Sequence, residues 1–148
     1  MARGRGRMTA RLVESLYVEA MLLADEARGY FDEPGRADRD RLAPLDRVTF
    51  ACESLKVTTR LMHVIAWLLH RKAEAAGEID PAALRPDSGR LGHAATTETG
   101  VLAMMPATAA ALIAASMALY DRVHRLERDD RPPPSPARTL IRRLENAF

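Results

Sequence analysis

The sequence has 148 residues, which is enough for one domain with a hydrophobic core of its own. Its 22 basic and 20 acidic residues nearly cancel, so no net charge draws the whole protein to nucleic acid or to a membrane surface. A single cysteine, Cys52, excludes an internal disulfide and a cysteine-rich zinc site and favours a reducing, cytoplasmic location. The purest apolar run, Val64 to Leu69, is too short to cross a membrane.

Apolar residues recur at helical spacing in three long segments. Thr9 is a plausible N-cap of the first, Gly77 is a natural C-cap of the second, and Pro106 suits the first turn of the third. Proline and glycine separate the segments, and no strand-like alternation of useful length appears. The pattern predicts an all-α three-helix bundle with long connectors and a flexible C-terminal tail. The predicted helices cover about residues 9 to 31, 45 to 76 and 106 to 127.

These boundaries divide the chain into three parts: a basic N-terminal arm of residues 1–8, the bundle domain of residues 9–130, and a tail of residues 131–148. The connector before the second helix alternates in charge, and we expect it to be solvated, with at most one short turn of helix. The connector that follows Gly77 carries Pro81 and Pro86, and loops of this length are usually functional or mobile.

The second predicted helix carries apolar residues on two nearly opposite faces, which two neighbouring helices do not cover completely. Either the helix lies deep between the other two, or one face contacts a second copy of the protein. Both interpretations place Leu61, Met62 and Leu68 out of water. One face comprises Val48, Ala51, Leu55, Thr58, Met62, Ile65 and Leu69, and the other comprises Phe50, Val57, Leu61, Val64 and Leu68. The predicted core or dimer-interface residues are Val57, Leu61, Met62, Val64 and Leu68.

Between the two faces lies a polar wedge that contains one tryptophan. An indole among charged side chains is either capped by an arginine or available to a partner. We therefore predict protein contacts through Trp67 and Arg60. The wedge comprises Glu53, Lys56, Arg60, Trp67 and Arg71.

No catalytic arrangement is recognisable in the sequence. The histidines are scattered, and the carboxylate–histidine pairs of helical metal sites are missing. No phosphate-binding glycine loop or nucleophile elbow is present either. The sequence therefore predicts a protein without enzyme activity, metal or cofactor.

The C-terminal tail combines a stiff proline spacer, "PPPSP", with a short apolar and basic segment. Leu140, Ile141 and Leu144 recur at helical spacing beside Arg142 and Arg143, so we predict that the tail gains order by docking and contributes to partner recruitment. The alternative is a free terminus without a role.

Basic residues at both termini leave a second class of function open, a small regulator associated with nucleic acid. Mixed charges along the helices and an aromatic content of only 5% weigh against it, because little is left for base stacking.

Three segments resemble the alphaproteobacterial RcdA family, named for regulation of CtrA degradation: "LADEARGYFDEPGR", "ESLKVTTRLMHVIAWLLHRKAEAAGEI" and "ALYDRVHRLE". The resemblance covers roughly Leu12 to Glu127 and implies a homodimeric three-helix bundle. It further implies a non-catalytic adaptor that helps to deliver cell-cycle regulators such as CtrA to the ClpXP protease. No catalytic residue or cofactor is implied, and the family's C-terminal extension takes part in partner engagement.

Overall fold

Six helices make up most of the part of the chain that the structure, a computed structural model, describes. It describes residues 2–80, 89–130 and 136–147, and the side chains of these except 2–8, 130 and 138. The helices are α1 (Ala2–Asp32), α2 (Pro34–Asp40), α3 (Pro44–Ala75), α4 (Thr99–Met104), α5 (Ala107–Asp130) and α6 (Pro136–Ala147). The predicted all-α fold is confirmed, and the three long predicted helices correspond to α1, α3 and α5.

Helix α1 packs antiparallel to α3. Glu14, near the start of α1, pairs with Lys72 near the end of α3 at 2.9 Å. At the other end, the rings of Phe31 and Phe50 meet edge to face, with centroids 5.6 Å apart. Helix α1 begins at Ala2, before the predicted N-cap Thr9.

The short helix α2 turns the chain from α1 into α3. The Tyr30 hydroxyl at the end of α1 donates a hydrogen bond of 2.6 Å to Asp38 Oδ2. Burial raises the pKa of the Tyr30 phenol, and the hydrogen bond to Asp38 raises it further. The connector is mostly exposed, as expected, but its helix is longer than the one short turn predicted, and Tyr30 ties it to the bundle.

Residues 89–98, the described part of the connector before α4, return along α3, so that α5 runs parallel to α3. At the start of this segment, the Leu91 amide donates to the Glu127 carboxylate near the end of α5. At its end, the Thr97 hydroxyl donates to the Glu53 carboxylate near the start of α3. The parallel arrangement explains why the connector is long, because a short turn would have made α3 and α5 antiparallel.

Residues 89–98, which we call the strap, cross the bundle without helix or strand structure. Ala94 and Thr97 are buried and Leu91 is half-buried, so every third residue of this segment faces the helices. A period of three is typical of polyproline II geometry, in which the main chain forms no hydrogen bonds within the segment. The strap therefore depends on side chains of α3 and α5 for its hydrogen bonds.

The hydrophobic core lies between α1, α3 and α5. Four of the five residues predicted for the core or interface are buried there: Val57, Leu61, Val64 and Leu68. They pack with α1 and α5 residues that recur at helical spacing, among them Leu16, Ala20, Leu112, Ile113, Leu119 and Val123.

The close approach of the strap to α3 can be tested at two glycines with positive φ. Gly77 (φ 71°) has open space around it, whereas a methyl group on Gly89 (φ 79°) would overlap the His70 imidazole. Gly77→Ala is expected to cost about 1 kcal/mol from backbone strain alone. Gly89→Ala is expected to cost about 1 kcal/mol more in urea unfolding, because the His70 imidazole or the strap must move to make room for the methyl group. Equal costs would contradict this packing.

Candidate protein interface

One face of α3 is exposed along almost the whole helix although it is largely apolar. The exposed fractions of its large side chains are 59% for Val48, 67% for Leu55, 62% for Met62 and 45% for Leu69. We call this surface the exposed α3 face. It comprises Val48, Ala51, Cys52, Leu55, Thr58, Thr59, Met62, Ala66 and Leu69.

The exposure of this face contradicts the first interpretation of the doubly apolar helix, in which it lies deep between the other two. Helix α1 covers one side of α3, and α5 and the strap cover another. The interpretation in which α1 and α5 bury both apolar faces is therefore wrong. Met62 is not a core residue of this chain, because it projects about 140° away from Val57 around the helix, at 100° per residue.

The exposed α3 face carries no charged residue. Between Arg47 and Arg71, the charged residues of α3 are Glu53, Lys56 and Arg60, and each of them contacts the strap side of the helix. From Val48 to Leu69 the face extends about 32 Å at 1.5 Å per residue. A solvent-facing helix surface of this length normally carries charges, so their absence here indicates a contact surface for a partner.

The strap covers part of the polar wedge, which we had expected at an accessible surface: Glu53 and Arg60 are buried, whereas Lys56 and Arg71 are half-buried. Arg60 is 2% exposed. Its guanidinium donates to the Ala95 carbonyl at 2.9 and 3.2 Å, to Thr97 Oγ1 at 2.7 Å and to Ser116 Oγ at 3.1 Å. Burial lowers the pKa of Arg60, and the Glu53 carboxylate opposes this effect. Arg60 thus ties the strap to two helices, and its predicted role as an accessible partner contact is corrected.

Trp67 is also buried, with 3% of its surface exposed. The guanidinium carbon of Arg71 lies 5.2 Å from the centroid of the indole ring. Of the two alternatives for this tryptophan, the arginine cap is the one found. The surface that Trp67 was expected to offer a partner is covered in this structure.

The C-terminal segment forms the helix α6, whose apolar side chains are not packed into the bundle. Leu140, Ile141 and Leu144 are 60%, 55% and 57% exposed. Arg142 and Arg143 are exposed on the same helix. The proline spacer at 131–135 lies outside the described residues, so the prediction for its conformation stays a prediction. In α6 the structure shows a second apolar and unpartnered surface.

None of the helices in the described parts of the chain is both long enough and apolar enough to span a membrane. Within the same residues, no three histidine, cysteine or acidic side chains gather where they could hold a metal ion. His63 and His70 lie against the strap glycines Gly92 and Gly89, respectively.

The fold and the exposed surfaces define an all-α helical bundle whose candidate site is a surface for protein contacts. The family model described as "Protein of unknown function (DUF1465)" matches residues 4–148, and the chain belongs to this family. Among solved structures, the crystal structure of RcdA from Caulobacter crescentus CB15 is similar with a TM-score of 0.67 and 31% sequence identity. The match covers 84% of this chain and 96% of that one, which confirms the resemblance to RcdA. The comparison with curated proteins found no match.

Proposed function

We propose that this protein is a non-catalytic, cytoplasmic adaptor that delivers regulatory proteins to a protease of the ClpXP type. The exposed α3 face carries the proposal, because it is a long surface suited to a protein partner and not to a small molecule. The similarity to RcdA supports a role as an adaptor. The proposed protease and the proposed cargo, cell-cycle regulators such as CtrA, are those that the family resemblance implies.

The partner proposed for the exposed α3 face is a second copy of the chain. Val48, Cys52, Leu55, Thr59, Met62, Ala66 and Leu69 alternate at steps of four and three residues, which is the spacing of a coiled-coil seam. Two such faces pack against each other without leaving a charge unpaired. The interface is then isologous, with the same residues contributed by both subunits.

The exposed helix α6 is the element proposed to recruit a further partner. Its apolar residues Leu140, Ile141 and Leu144 are flanked by arginines, as expected for a helix that docks into an apolar groove with an acidic rim. Because these side chains are exposed, α6 contributes little to the stability of the bundle.

The test is a reconstituted degradation assay with purified protease, a CtrA-like substrate and the adaptor. Deletion of residues 132–148 is expected to slow adaptor-dependent degradation several-fold while the thermal midpoint changes by less than about 2 °C, since α6 buries little apolar surface. A second variant replaces Leu140 and Leu144 by Ser in the full-length chain, so that the apolar surface of α6 is removed while the length of the chain is kept.

Full-length protein that does not accelerate degradation of any such substrate would contradict the adaptor role. Unchanged delivery after the deletion would contradict the role of α6 alone. A large loss of stability would show that α6 is part of the folded domain.

A further inference from the structure

The strap lies in a groove between α3 and α5 whose side chains grip its main chain. The Ala95 carbonyl accepts hydrogen bonds from Arg60, and the Gly92 carbonyl accepts one from the Tyr120 hydroxyl at 2.6 Å. Lys56 Nζ donates to the Thr96 carbonyl at 3.3 Å. Any extended peptide offers such main-chain groups, so these contacts do not depend on the sequence of the strap.

Two side chains of the strap supply the sequence-dependent part of the contact. Ala94 and Thr97 are each 7% exposed, whereas His93, Ala95 and Thr96 are exposed. The Thr97 hydroxyl donates to Glu53 Oε2 at 2.5 Å and accepts from Arg60 Nη2 at 2.7 Å. The groove therefore selects a small residue followed, three positions later, by a hydroxyl residue.

Two properties of the groove favour replacement of the strap by another peptide segment. The strap buries only small side chains fully, so hydrophobic burial holds it weakly compared with the helices. When it leaves, the ionised Glu53 and Arg60 regain the hydration that they lose under the strap, which offsets part of the lost hydrogen bonding. Segments with few buried apolar contacts open at lower free energy than the core.

We propose that the groove is a binding site for an extended peptide segment of a partner protein, and that the strap occupies it as an intramolecular stand-in. The partner's segment carries the strap's pattern, a small residue followed three positions later by a hydroxyl residue. Its main-chain carbonyl groups between these residues are free to accept hydrogen bonds from the groove. Its binding displaces the strap. This site is separate from the exposed α3 face and does not depend on the identity of the protease.

A fluorescent peptide with the strap's own sequence, GRLGHAATTE, tests the site. In the wild-type protein the tethered strap competes at an effective concentration in the millimolar range, so the free peptide binds weakly. Thr97→Val removes the hydroxyl from the tethered strap and leaves the groove intact. The variant is expected to bind the peptide at least ten-fold more tightly than the wild type, measured by fluorescence anisotropy.

Thr96→Val is the matched control, because it makes the same change at the neighbouring exposed position. It is expected to bind the peptide as the wild type does. Ala94→Glu is a second variant that loosens the strap, by overfilling a buried position without altering the groove. A peptide with Val in place of its second Thr, the counterpart of Thr97, is expected to bind the loosened variants at least ten-fold more weakly.

Trp67, the only tryptophan, reports on the same event without a label. It lies four positions after His63 and three before His70 on the face of α3 that the strap covers, and displacement is expected to increase its quenching by iodide. In the wild type, millimolar peptide is expected to raise amide hydrogen exchange across residues 89–98. Three results would each overturn the proposal. Neither folded variant binds the peptide more tightly than the wild type, or the loosened variants bind the Val peptide as tightly as the original peptide. The third is that peptide leaves the amide hydrogen exchange of residues 89–98 in the wild type unchanged.

Discussion

Leu55→Asp is expected to convert the proposed dimer into a folded monomer. Leu55 is 67% exposed, so an aspartate there remains hydrated in the single chain and leaves its fold intact. In the proposed interface the carboxylate loses water and finds no positive partner, because the exposed α3 face carries no charge. A cost of at least about 3 kcal/mol raises the dissociation constant at least about 100-fold. Sedimentation velocity at micromolar concentration measures the effect.

Leu22→Asp is the matched control, because Leu22 is also 67% exposed but lies on α1. It is expected to remain dimeric. Met62→Asp should act like Leu55→Asp, whereas Leu61→Asp, one residue away, should unfold the chain because Leu61 is only 3% exposed. A wild-type protein that sediments as a monomer, or a Leu55→Asp protein that remains a dimer, would contradict this interface.

Arg60→Met is expected to destabilise the fold by about 3 to 5 kcal/mol, the usual cost of breaking a buried charged network. The variant leaves the buried Glu53 carboxylate with Lys56, at 2.8 Å, as its remaining cation, and the Ala95 carbonyl and Ser116 hydroxyl lose their donor. For a domain of this size the thermal midpoint should fall by about 10 °C. Thermal and urea unfolding measure the change.

Arg28→Met removes the same charge at a position where 78% of the side chain is exposed and the partner, Asp25, is equally accessible. Its midpoint is expected to stay within error of the wild type. A second expectation concerns the strap, because its amide protons should exchange faster in Arg60→Met while those of α1 do not. If Arg60→Met costs less than about 1 kcal/mol, the network does not hold the strap in the way described.

Local spacing was sufficient to predict the three long helices and several of their ends. The first helix begins before Thr9, its predicted N-cap. Gly77 and Pro106, in contrast, lie at the limits of α3 and α5. The two apolar faces of α3 were also visible, since a helix presents residues three and four positions apart on one side. These features depend on residues within a few turns of each other, which is why the sequence alone determined them.

Which face of α3 is covered depends on residues far away in the chain, and only the tertiary structure decided it. Arg60 is buried by Ala95, 35 residues later, because the connector crosses back along α3. Periodicity cannot show such a crossing, so Arg60 and Trp67 appeared to be surface residues and Met62 a possible core residue. The apolar pattern showed that α3 has two apolar faces. The path of the strap and the packing of α1 determined which face remained open for a partner.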